Sequence, residues 1–144
     1  EGAIYLTNVQ DDEDDMIDDI VHEMAHAIEE QRGMDMYLDG EIEREFLGKR
    51  ERLASLLNAE GYKVSLNAAL NPDYDQEFDE FLYQEVGYPV LTTLTMGLFY
   101  SPYAATSVRE YFANGFEAVF LHNDAHYLKK ISPQLFSKLE NLTE

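Results

Sequence analysis

"DDMIDDIVHEMAHAIEEQ", residues 14–31, decides how this chain is read. Ile17, Ile20, Val21, Met24 and Ile28 recur at steps of three and four, the period of a helix with one apolar stripe. The acidic run Asp11–Asp15 ahead of them complements the positive end of a helix dipole. It lacks the spaced oxygen ligands and the glycine of a calcium loop. The pattern predicts a helix from about Asp14 to Gln31 that stops near Gly33. On it His22 and His26 are four residues apart and share a face. Two imidazoles there can meet one metal, with Glu23 beside it to deprotonate a bound water. With 4 His and 17 Glu in 144 residues, chance supplies this pattern about 0.01 times. The competing reading is a structural histidine pair on an acidic helix.

Composition sets the outer bounds. A chain of 144 residues, 45% hydrophobic, suits a single domain, 1–144, around one core. It has no Cys, which removes disulfides and thiolate metal ligands. It opens on Glu1 and is expected to be a domain of a longer chain. Its longest apolar stretch, about Val90–Tyr100, is too short to cross a bilayer. With 10 Lys and Arg against 29 Asp and Glu, the formal charge is -19. Such a chain repels nucleic acid and anionic membranes and attracts basic partners. The plainer reading of the charge is solubility.

Ala3–Val9, "AIYLTNV", alternates like a strand, and Tyr62–Leu66, "YKVSL", reads as a second, shorter one. Helices are expected over Glu41–Asn58, with Gly61 past its end, then Gln76–Val86, Pro89 to about Tyr100, Val108–Leu121 and Pro133–Leu142. "NPDYD", Asn71–Asp75, is a turn. "HNDAH", His122–His126, repeats the histidine spacing without a Glu after the first His. It reads as a helix-ending surface segment.

A catalytic zinc usually keeps three protein ligands and an open position. Glu29 and Arg32 stand where the metzincin pattern needs Gly and His. Glu45, near the thermolysin-type spacing, sits among Glu41, Glu43 and Arg44 and reads as solvated. A better third ligand is Glu110, which shares a helical stripe with Asn114 and Glu117, opposite Val108, Phe112 and Val119. Ser107–Glu110 also fits a capping box that would occupy Glu110. With Thr106 as the cap, Glu110 is free.

His22-Glu23-Met24-Ala25-His26, together with Tyr103, Glu110-Tyr111-Phe112-Ala113 and Phe116, resembles the anthrax lethal factor catalytic domain and its small relatives, the Pro-Pro endopeptidases. The likeness covers about residues 1–35 and 98–142. It implies Zn2+ held by His22, His26 and Glu110, Glu23 as general base, and Tyr103 as donor to the oxyanion. It also implies a substrate pairing with a strand at Ile4, Tyr5 and Leu6. It favours a secreted protein, while the residues themselves assign no compartment. Two departures stand out. Residues 35–98 make a long helical stretch between the motif halves, an inserted region or lid. Asn114 stands where the family often has a second Glu, and would orient a ligand histidine through its amide oxygen.

The expected fold is α+β, mainly helical and zincin-like, with a small sheet whose edge strand flanks the HExxH helix. The expected function is zinc-dependent hydrolysis of peptide bonds in extended protein or peptide substrates, with basic peptides favoured by the chain's charge. The alternative is a non-catalytic, toxin-derived protein-binding domain that keeps a structural zinc site. A metal-free helical scaffold is third.

Overall fold

The first helix is longer than its apolar pattern. In the computed structural model, which describes residues 9–142 and their side chains from Asp15 on, α1 runs Val9–Tyr37 and carries Gly33 inside it. A mid-helix glycine costs about 1 kcal/mol. Here the last turns are fastened by Tyr37, whose hydroxyl donates to Glu29, and by Arg109 Nε, 2.8 Å from the same carboxylate. After a turn through Gly40 (φ +74°), α2 spans Glu41–Ala59. It closes as a Schellman motif. Gly61 has φ +98°, and the Tyr62 and Gly61 amides donate to Leu57 and Asn58 carbonyls.

The expected α+β class is overturned: among the described residues every regular element is helical and none is a strand. At Tyr62–Leu66 the reason is local. Asn58 Oδ1 accepts from the Val64 amide at 3.0 Å, and its amide nitrogen donates to the Val64 carbonyl at 3.3 Å. Both ladder groups of Val64 are thereby used, while Ser65 caps the short helix α3, Leu66–Ala69. Tyr62 and Val64 are apolar because they pack on the core. Of the other expected strand, Ala3–Asn8, with Ile4, Tyr5 and Leu6, lies outside the described residues, and Val9 already belongs to α1.

α4, Gln76–Glu80, continues as a π-helical stretch, Phe81–Val86, and α5 covers Tyr88–Leu94. A 3-10 turn, Pro102–Ala105, precedes α6, Val108–Phe120. α7, Ala125–Ile131, and α8, Pro133–Asn141, complete the chain. No helix among the described residues is long and apolar enough to cross a membrane.

α6 is the axis of the molecule. Tyr111 through Phe116 are all buried, with α1 on one side and α2, α7 and α8 around the rest. Gly115 allows the approach of α8, since a Cβ there would lie 2.5 Å from Leu135 Cδ2. Ile42, Phe46, Leu53 and Leu57 of α2 enter the same core as Phe112, Leu135 and Leu139. Glu45 is not solvated. It accepts from the Tyr111 hydroxyl at 2.6 Å and from the Gln134 and Leu135 amides, capping α8. Buried Arg50 donates to the carbonyls of Ala105, Ala68 and Asn71 and stacks over Phe78. Burial pulls its pKa down to about 10, which leaves it charged at neutral pH.

Candidate metal centre

α1 and α6 pack so that the face of α1 with no apolar pattern turns inward. Ala25 is its buried centre, flanked by His22, His26 and Glu29. Ile17, Ile20 and Met24 of the apolar stripe point outward, Ile20 being 55% exposed. Only Val21 and Ile28 of that stripe rest on the core. The rotation of α1 therefore presents its histidines to α6.

Glu110 meets them in the first turn of α6. Its Oε1 is 3.0 Å from His22 Nε2, and its Oε2 is 3.5 Å from His26 Nε2. The two Nε2 atoms are 3.2 Å apart, with the rings edge to face. Ligands about 2.0–2.1 Å from a tetrahedral zinc are about 3.3 Å from one another, so these separations fit a shared ion. Glu110 Oε1 is buried and accepts no hydrogen bond despite its closeness to His22. The carboxylate oxygens and the two imidazole Nε2 atoms thus lie together. Among the described residues, His22, His26 and Glu110 are the group of three potential ligands brought this close, all half-buried. Ser107 is the N-cap, its hydroxyl accepting from the Glu110 amide, while the Glu110 carboxylate turns to the histidines.

Glu117, two turns along the same stripe, supports His22, its Oε2 lying 3.3 Å from Nδ1. Asn114 acts one step behind it. Its amide oxygen accepts from Ser101 at 2.9 Å, and its nitrogen donates to Glu117 Oε1 at 3.4 Å. Direct orientation of a histidine by Asn114, as expected from the sequence, is replaced by this relay. The i, i+7 spacing from Glu110 was the signal that could have singled out Glu117.

On the other side, Glu29 is 6% exposed and paired with Arg109 and Tyr37. Glu23 is exposed on α1 next to His22. Tyr103 sits on the 3-10 turn with its ring 6.1 Å from that of His22. Burial, then the negative charge of Glu110, raises its pKa to about 12, so its hydroxyl stays a donor at neutral pH. Thr106 Oγ1 donates to the Tyr103 carbonyl, and Arg50 holds Ala105, fixing that turn. His122 and His126 are exposed and stand outside the group formed by His22, His26 and Glu110, with His122 stacked on Tyr100.

The chain matches no known family model, no curated protein and no solved structure in the comparisons made with them. The chemistry of the side chains has to carry the functional reading.

Proposed function

We propose that the protein is a zinc-dependent endopeptidase. The observation that carries this reading is the convergence of His22, His26 and Glu110 at separations that fit one tetrahedral ion. A nitrogen, nitrogen and carboxylate donor set suits zinc, and three protein ligands leave a fourth position for water, as catalytic sites do. Zinc, when bound, supplies polarisation of the scissile carbonyl and a more acidic water.

The chain's own residues supply the rest. Glu23, exposed beside His22, takes the proton of the attacking water and hands it to the departing amine. Tyr103, kept protonated, donates to the oxyanion that develops on the carbonyl. Glu117 holds the His22 ring with its Nε2 toward Glu110.

A non-catalytic protein-binding domain with a structural zinc is the rival. The exposed Ile17, Ile20 and Met24 of α1 support it, as an apolar face that a partner could cover. Turnover separates the two. Glu23→Gln should retain zinc and lower peptide hydrolysis by about 10²–10⁴-fold, the usual worth of a general base. Absence of any cleavage of a peptide library by the zinc-loaded wild type would favour the binding domain.

A further inference from the structure

The two histidines differ at their outward nitrogens. His22 Nδ1 has Glu117 within hydrogen-bond distance, whereas His26 Nδ1 is buried and has no hydrogen-bond partner. The nearest carboxylate oxygen to it is Glu29 Oε1, one turn along α1 at 3.9 Å. Glu29 is itself almost fully buried, and it is held by two groups from different places. Arg109 Nε lies 2.8 Å from Oε1, and the Tyr37 hydroxyl donates to Oε2. A buried carboxylate fixed from two sides, one turn from an orphaned imidazole nitrogen, is an expensive arrangement without a use.

We infer that Glu29 is a positioning residue for His26: it accepts the Nδ1–H when Nε2 serves as a metal ligand, and Arg109 and Tyr37 hold it ready. The inference rests on the zinc reading of the site. Its logic is tautomeric. A lone pair on Nε2 requires the proton of a neutral imidazole to sit on Nδ1, and a buried Nδ1–H requires an acceptor. Glu29 is in place, and a closer approach of about 1 Å brings it to normal hydrogen-bond length. The arrangement also links the two helices. Arg109 directly precedes Glu110, so one turn of α6 provides both a candidate ligand and the hold on the residue behind another ligand.

The test is zinc affinity, measured by competition with a chromophoric chelator on the full chain, together with side-chain nitrogen NMR of the histidines. Wild type should bind zinc and show a His26 Nδ1–H correlation. Glu29→Ala should weaken zinc binding by about 10- to 100-fold, the usual worth of such a partner, and lose that correlation. Glu29→Gln, which keeps an acceptor, should weaken it less. Arg109→Ala, at an exposed guanidinium, should keep the fold and weaken zinc severalfold by loosening Glu29. Zinc affinities within twofold of wild type in Glu29→Ala and Arg109→Ala, with the Nδ1–H correlation intact, would overturn the inference while leaving the zinc site standing. A wild type that takes up no zinc would remove both.

Discussion

Tyr103 shows how one side chain's surroundings set its chemistry. It is 43% exposed, yet burial of the remainder and the neighbouring Glu110 carboxylate oppose a phenolate and raise its pKa to about 12. For an acid, a raised pKa extends the protonated form upward, so the hydroxyl remains a donor across the range in which peptide hydrolysis is measured. Tyr103→Phe should therefore lower kcat by about 10²–10³-fold with little change in KM, the pattern of a lost transition-state donor. The ratio of wild-type to mutant rates should stay constant from pH 7 to pH 10. A ratio that collapsed toward one below pH 10 would mean that the hydroxyl ionises early and acts otherwise. The grouping of His22, His26 and Glu110 was legible in the sequence, the histidines from their spacing and Glu110 from its place on a polar helical stripe, whereas the role of Tyr103, and that of Glu23 beyond its place between the histidines, come from the family resemblance. Glu29 and Glu117 were not assigned, since a carboxylate that faces inward has the same letter as one in solvent.

At the scale of elements, the lesson is in α1 and α6. Hydropathy marked a stripe of Ile17, Ile20, Val21, Met24 and Ile28 on α1, but only Val21 and Ile28 of it rest on the core, and the face toward α6 also carries Ala25, His22, His26 and Glu29. Polar residues that serve a site cannot announce burial by apolar periodicity, so the pattern located the helix and misjudged its rotation. α2, α6 and α8 were legible within a residue or two, since their stripes do pack inward. α7 was missed because Asn123, with φ +58°, and Asp124 read as the end of a helix, whereas seven helical residues follow them. The strand at Tyr62–Leu66 failed because Asn58 satisfies the Val64 backbone, a tertiary hydrogen bond that no local pattern reveals. The packing of α6 on α8 gives a prediction of its own. Leu135 is fully enclosed, so it cannot swing away from an added methyl. Gly115→Ala should destabilise the fold by about 1–3 kcal/mol, read as a loss of several degrees in Tm. An unchanged Tm would mean that α8 shifts freely on α6.

The whole molecule carries a charge of -19, and the structure divides that charge by role. Glu29, Glu45, Glu110 and Glu117 are at least partly buried and engaged with named partners, whereas Asp15, Asp19, Glu23 and Glu30 lie exposed along α1 on either side of the histidines. A field of that sign would concentrate basic peptides at the centre, raising their on-rates by about 10-fold or more at low salt. Peptides bearing Lys or Arg should show higher kcat/KM than acidic ones, with the gap shrinking as salt shortens the Debye length. Equal rates at low salt would leave the acidity as a solubility device. All of this depends on the metal, and the most direct measurement is zinc content by elemental analysis of the purified chain and its variants. Wild type should hold one zinc per chain, His22→Ala and His26→Ala should hold none, and the double replacement of His122 and His126 should hold as much as wild type. Full zinc in a chain lacking both His22 and His26, or its loss when His122 and His126 are replaced, would contradict the account.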